Sequence, residues 1–524
     1  MYSGLRRSSD MLPSERQYER FTRLLGVKVG SVIRRFLPSI AICLYLLSAS
    51  QYGQNPSSTP GDFDPSLRKG VMLFQQKKYA EAREEFLRIT QGDPGSAQGF
   101  FFLGMTEYSL GNSQAAVRSL IRSVELNPKS ANTLYNLGVI LLGQNRPAEA
   151  AFYLGQAYQL RPDSPEISVH LIRAYLAQGN THHALQVAAA ADRRFEKTPE
   201  FHLAIGKSLL EYDLLQEARA FLETANHLAP AQPEIVLPLA DVYLRQKETM
   251  RSLQVLKSIA AVAQSSAGYH FLLAEAYFGS GKMEQALGEM NQAVQLDPRN
   301  PLYYLTFGRY YQKYGDQRDA IEVLEKAARL DSQVAEIPYS IAVSYSIADD
   351  LKVAAQYADR ALQLDPKFDQ ALFLLGAIRL AEGTYAESER LLSHALEMKP
   401  QNVYYLCFYG MALFRENRFL EAQTAFQKAL ALAPNYALAH YQLGRVLARL
   451  GRPEKARIEL EKAVSLDAEI PEAFYLLGQV YSALGEKEKA AKALATFSKY
   501  HETQFLEDQR ELSKRLRESV KGEH

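Results

Sequence analysis

The sequence predicts an all-α solenoid of about thirteen 34-residue helix-turn-helix units ending in a C-terminal capping helix. Three observations predict it. Prolines stand at Pro94, Pro128, Pro162, Pro230, Pro298, Pro366, Pro400 and Pro434, and every gap between neighbours is 34 or 68 residues. Ten positions after each proline slot comes a small residue, such as Gly70, Gly104, Gly138, Gly206, Ala240, Gly308 and Gly444. Alanine recurs twelve residues beyond it (Ala82, Ala116, Ala150, Ala218) and seven further on (Ala157, Ala191, Ala225). Side chains this small let two helices approach closely, and a bulky one would overpack the contact.

Residues 1–50 form a basic leader with an apolar end. Met1–Arg35 carries Arg6, Arg7, Arg16, Arg20, Arg23, Lys28, Arg34 and Arg35 against Asp10, Glu15 and Glu19. Phe36–Ala49 is an apolar run of 14 residues, short of the ~20 a spanning helix needs, and Ser48-Ala49-Ser50 offers the small residues of a signal-peptidase site. Three roles fit it: a cleaved export signal, an uncleaved anchor attaching the chain to a membrane through residues 36–49, or a buried or disordered cytoplasmic extension. The long basic stretch leaves open a translation start downstream of Met1. The spacing after Arg34-Arg35 departs from a twin-arginine signal, and Ile40-Ala41-Ile42 lacks the small residues expected beside a lipidated Cys43. Residues 51–62, rich in Gln, Ser, Pro and Gly, read as a flexible tether.

The repeat array spans residues 63–504, in units starting at 63, 97, 131, 165, 199, 233, 267, 301, 335, 369, 403, 437 and 471. In the third unit Leu134, Leu137, Leu141 and Leu142 recur at steps of three and four, one face of a helix. Asn145-Arg146-Pro147 interrupts them, and a proline at the first position of a helix marks the start of the second, as Pro453 does too. A closing Leu-Xaa-Pro ends that helix, because the residue before proline is pushed out of helical geometry. Two units depart from the pattern. The fourth has Ile172 in the glycine slot and Glu196 in the proline slot. The sixth has Ser252 and Ile259 at alanine slots, Gln264 at the proline slot and Pro238 inside its first helix, which predicts a kink or shortening there and an irregularity over residues 233–266. Residues 505–524, with Leu512, Leu516 and Val520 amid dense charge, suit a capping helix or a partner-binding tail.

Units such as Ala131–Ser164, containing TLYNLGVILLGQNRPAEAAFYLGQAYQLRPDS, resemble tetratricopeptide repeats, and thirteen stand in register without insertion. The resemblance implies a right-handed superhelix of antiparallel helix pairs. Its first helices would line a concave groove that binds peptides or partner proteins. The lysine and asparagine by which some relatives clamp carboxyl-terminal peptides are absent: slot nine holds Val139, Met411 and Arg445.

Composition and motifs speak against several classes. The net charge is +1, so no general attraction to nucleic acid or an anionic membrane is expected. No phosphate-cradling G-x-x-x-x-G-K-[ST], H-E-x-x-H or C-x-x-C occurs, so neither cofactor nor metal is expected. His182-His183 reads as a surface pair, and His202, His270 and His440, all at slot four, as packing residues. Cys43 and Cys407 are the only cysteines. The chain beyond the repeats is too short for a catalytic domain, so no enzyme is expected. Tyrosines such as Tyr175, Tyr243 and Tyr481 are expected to pack in the core, with the hydroxyl reaching the turn.

Slots two, five, nine, twelve and thirteen of each first helix share one face. Slot five is often aromatic: Phe101, Tyr135, Phe271, Tyr339, Phe373, Tyr441 and Tyr475. These rings suit either interhelical packing or a ladder for an extended peptide. Bases at slots nine and thirteen include Arg173, Lys207, Arg245, Arg309, Lys313, Arg415, Arg445 and Arg449, while the acids Glu211, Asp241 and Glu275 sit in the middle units. Arg415, Tyr441, Arg445 and Arg449, with Arg309, Lys313 and Tyr404, are the candidate site. They would hold an acidic segment or chain terminus, or else form a solvated basic face. Leader and fold together suggest a non-catalytic scaffold for protein or peptide partners in a bacterium, periplasmic or otherwise extracytoplasmic, free or anchored in the cytoplasmic membrane, assembling an envelope or secretion-related complex. The alternative is a regulatory adaptor of a separate enzyme such as a glycosyltransferase or protease. Oligomeric state and partner identity stay open.

Overall fold

The computed structural model describes residues 65–500; the leader, the tether, the opening of the first unit and the expected capping tail lie outside them. Among the described residues every regular element is a helix, and the chain is an all-α solenoid of helix-turn-helix pairs. The described residues fall into two compact bodies, 65–282 and 283–500.

The third unit shows why the sequence folds this way. Its helices are Ala131–Gly143 and Pro147–Leu160. The Ser130 hydroxyl accepts from the Thr133 N–H at 3.3 Å and caps the first helix. At its other end Asn145 takes a left-handed φ of 56°, and the Arg146 N–H reaches back to the Leu141 carbonyl at 3.0 Å. This satisfies carbonyls that the helix end would leave bare, and it reverses the chain into the second helix. The same slot is left-handed along the chain, filled by glycine (Gly111, Gly179, Gly315) or by Lys77, Asp213, Lys247, Asp349 and Asn417.

The small-residue seam packs the two helices of a unit. Ala150, Leu154 and Ala157 are fully buried, and a Cβ added at Gly138 would stand 2.5 Å from Leu154 Cγ. First helices of successive units also touch: Ala131–Gly143 meets Pro165–Ala177, and Val403–Arg415 meets Ala437–Arg449. Second helices of successive units do not approach one another to the same degree. Within each body the closer side is therefore the inner wall, and the first helices build it.

The sixth unit is irregular, but not where proline predicts. Pro233–Arg245 is one unbroken helix with Pro238 inside it, as long as the regular first helix Ala131–Gly143. A proline removes one backbone bond. Burial of Ile235, Val236, Leu239 and Ala240 on both sides of Pro238 holds the helix together. The break falls in the second helix, which stops at Ser258 and resumes as Ala260–Ala263. Between the pieces lies Ile259, 1% exposed in a slot that alanine fills elsewhere, so the helix yields where the larger side chain enters the seam. Ser252 is accommodated: it is buried, and its hydroxyl donates to the Ala240 carbonyl at 3.1 Å. In the fourth unit Ile172 is fully buried, and the second helix, Thr181–Asp192, is two residues shorter than Pro147–Leu160.

Candidate peptide-binding wall

Slot five does not form an exposed aromatic ladder. Tyr339 and Phe373 are 3% and 2% exposed and Cys407 is fully buried, so at these units the slot belongs to the core. Burial pushes the Tyr339 hydroxyl and the Cys407 thiol well above their ordinary ranges. Phe101, Tyr135, Phe271 and Tyr441 are half-buried, while Tyr475 is exposed.

The charged slots divide between the two bodies. In residues 65–282 the two arginines at these slots are paired: Arg173 lies 4.0 Å from Glu211, and Arg245 lies 2.9 Å from Asp241 and 3.7 Å from Asp213. Burial raises the Asp241 carboxyl, and the Arg245 charge opposes the rise. Both arginines of that wall are thus answered by acids of the chain, while Lys207 is exposed and pairs with no carboxylate among the described residues.

In residues 283–500 Arg445 is held without an acid. Its guanidinium carbon lies 4.6 Å from the Phe414 ring centre and 5.5 Å from that of Tyr441, so it stacks on rings from two successive first helices. Its Nη1 donates to Gln442 Oε1 at 2.7 Å, and Gln442 is itself buried. Among the described residues no carboxylate pairs with Arg445 or with exposed Arg449 one turn on. A guanidinium fixed by two rings and an amide keeps its remaining donors in one orientation, suited to a planar oxyanion.

The other candidates do not join this group. Arg415 directs its guanidinium to the Tyr385 ring, 5.7 Å away at the start of a second helix. Tyr404 packs edge-on to Tyr436 at 5.6 Å, at the opposite end of its helix from Phe414. Arg309 and Lys313 are half-buried four units before Arg445, where the Arg309 charge acts on the Tyr339 hydroxyl.

The histidines are structural in their contacts. Buried His202 sets Nδ1 2.8 Å from the Thr198 carbonyl and Nε2 3.0 Å from Asp192. His440 sets Nδ1 2.6 Å from Glu459 and Nε2 2.9 Å from the Pro434 carbonyl, and His270 lies 3.0 Å from the Gln264 carbonyl. His183 contacts Asn180 at the surface, at 2.9 Å. Among the described residues no three His, Cys, Asp or Glu side chains converge as a metal site, and no helix is long and apolar enough to cross a membrane.

Pairwise sequence spacing missed a clasp between units. Arg219 lies 2.8 Å from both Glu223 and Glu248, and the Tyr243 hydroxyl donates to Glu223 at 2.7 Å. Seven units on, Arg457 lies 3.9 Å from Glu461 and 2.7 Å from Glu486, and Tyr481 donates to Glu461 at 2.8 Å. These tyrosine hydroxyls thus reach a glutamate of the preceding unit rather than the turn. Burial and then the glutamate bond push both phenols up to about 12. The signal was present as an arginine, a tyrosine and two glutamates at the same four slots in two unit pairs.

Stacked two-helix hairpins with a small-residue seam and an inner wall of first helices define a repeat scaffold that works through its surface. The chain belongs to the tetratricopeptide repeat family, which it matches over residues 51–97, 103–165, 141–207, 237–301, 305–368, 348–403, 410–468 and 472–502. It is 24% identical over 219 residues to the TPR repeat-containing protein YpiA of Bacillus subtilis, covering 41% of this chain and 52% of that one. It is 23% identical over 240 residues to the BBSome complex member BBS4 homolog of Drosophila melanogaster, covering 43% and 49%. The chain thus spans about half the length of these curated relatives. The crystal structure of the APC/C hetero-tetramer Cut9-Hcn1 aligns with 80% of this chain and 96% of its own at 13% identity and a TM-score of 0.43. At that score the fold assignment stands on the repeat geometry and the family match.

Proposed function

We propose that this chain is a non-catalytic scaffold that holds protein segments on the inner wall of its first helices, and that the wall of residues 403–483 is its main docking surface. One observation carries this: successive first helices touch there and jointly present the half-buried Phe414, Tyr441 and Arg445, with no acid paired to the Arg445 guanidinium among the described residues. The Drosophila relative, described as a member of a complex, agrees with such a role. The basic stretch followed by Phe36–Ala49 supports a bacterial, extracytoplasmic setting in the assembly of an envelope or secretion-related complex. A photo-crosslinking amino acid placed at Met411, in the wall, and at Lys428, exposed on a second helix, tests the docking surface in the native host. Partner adducts at position 411 and not at 428 are expected; adducts at 428 alone, or at neither, would overturn it. N-terminal sequencing of the mature chain tests the leader, and an unprocessed chain in the cytosolic fraction would remove the extracytoplasmic setting.

A further inference from the structure

From the stacked guanidinium and the bare one beside it, we infer that the helix Ala437–Arg449 binds an extended acidic segment in which carboxylates alternate, acid-x-acid, beginning with an apolar residue two positions before the first acid. This rests on the first-helix wall being the docking surface, and it names the chemistry of the partner.

The spacing gives the pattern. Tyr441, Arg445 and Arg449 follow one another at steps of four, so they stand on one face of the helix, about 6 Å apart along its axis. In an extended chain, side chains on one face repeat every second residue, about 6.6–6.8 Å apart. A segment lying along the helix therefore brings residues i, i+2 and i+4 opposite Tyr441, Arg445 and Arg449 in turn. The ring offers an apolar contact, and the two guanidiniums offer charge-assisted bonds to successive carboxylates. Two separate cations suit side-chain acids along a segment better than one terminal carboxylate.

Charge complementarity points to the same occupant. At slots nine, twelve and thirteen of units 11 to 13 the wall carries Met411, Phe414, Arg415, Arg445, Ala448, Arg449, Gln479, Ser482 and Ala483, with no acid among them. In residues 65–282, by contrast, Arg173 and Arg245 already face acids of their own chain.

The test is fluorescence anisotropy of the full chain with amidated, fluorescein-labelled Gly/Ser peptides carrying Leu-Ser-Glu-Ser-Glu, the same peptide with Gln for both Glu, or one with its acids four residues apart. The alternating acid peptide should bind at least tenfold more tightly than the Gln peptide and severalfold more tightly than the widely spaced one. Arg445→Gln should remove most of the tenfold preference. Arg449→Gln should lower binding of the alternating peptide to that of the widely spaced one, abolishing the dependence on spacing while keeping a reduced preference for Glu over Gln, with circular dichroism of both variants unchanged. Equal binding of the Glu and Gln peptides, or a preference that survives Arg445→Gln, would overturn the inference. If crosslinks still form at position 411, the docking surface stands while its acidic chemistry fails; if they do not, both fail.

Discussion

The same substitution, Gly→Ala, should have opposite signs at two glycines of one unit. Gly138 and Gly155 both lie inside helices, and in each an alanine removes the backbone freedom of glycine, a gain of about 1 kcal/mol. At Gly155 the new methyl meets nothing within 4 Å, so the gain is kept. At Gly138 it would stand 2.5 Å from Leu154 Cγ and 3.3 Å from the Ala150 carbonyl, and Leu154 is fully buried with no free direction to move. Overpacking of this kind costs about 1–3 kcal/mol, so Gly138→Ala should destabilise by ~0–2 kcal/mol. The background Leu154→Ala, itself destabilising by about 2–5 kcal/mol, removes the clash and should turn Gly138→Ala into a gain. Urea unfolding midpoints followed by far-ultraviolet circular dichroism compare the unchanged chain with the three single variants and the double variant. If Gly138→Ala stabilises the otherwise unchanged chain as much as Gly155→Ala does, the seam is not closely packed and the period has another cause.

Three further outcomes follow from the turns, the clasps and the core. Tyr243 and Tyr481 have folded values raised from 10.0 to about 12, so their contribution is full below pH 10 and lost as pH rises to about 12; the difference in urea midpoint between the unchanged chain and Tyr243→Phe should be constant to pH 10 and vanish above 12. Lys247 holds a φ of 63° at a slot where other units have glycine, so Lys247→Gly should stabilise by up to ~1 kcal/mol in the same assay, whereas Asp241→Gly, at a helical position, should not. Cys407 is fully buried among apolar side chains, and Cys407→Ser should lower stability by about 1–3 kcal/mol because its hydroxyl has no water to bond; an unchanged melting temperature would show that the slot is wetter than its burial implies.

The repeat was legible because its cause is local. A glycine that must clear Leu154, a left-handed residue at Asn145 and a proline opening the second helix each constrain residue type at a fixed slot, and the constraint returns with every unit. Pro238 misled for the converse reason. Its backbone effect is real, but the buried residues around it decide whether the helix survives, and the chain gave way instead at Ile259. The Arg219–Glu223–Tyr243–Glu248 clasp was invisible to spacing within one helix because its partners come from two units.

The candidate site shows this limit most plainly and leads to the last prediction. Arg173 and Arg445 both occupy slot nine, and sequence alone treats them alike. The partner of Arg173 is Glu211, slot thirteen of the following unit, and the residue at that place beside Arg445 is Ala483. Whether a base on this wall is spent within the fold or left for a partner thus depends on a residue 38 positions away, the sequence separation of Arg173 and Glu211. Ala483→Glu should install the missing acid near Arg445 and weaken binding of the alternating acid peptide about tenfold, with little change in stability because Ala483 is exposed and ends its helix. Ala483→Gln, of the same size without the charge, should leave the affinity within about twofold, a change of ~0.4 kcal/mol. Equal loss in both variants would mean that bulk at this position, rather than charge at Arg445, governs access to the wall.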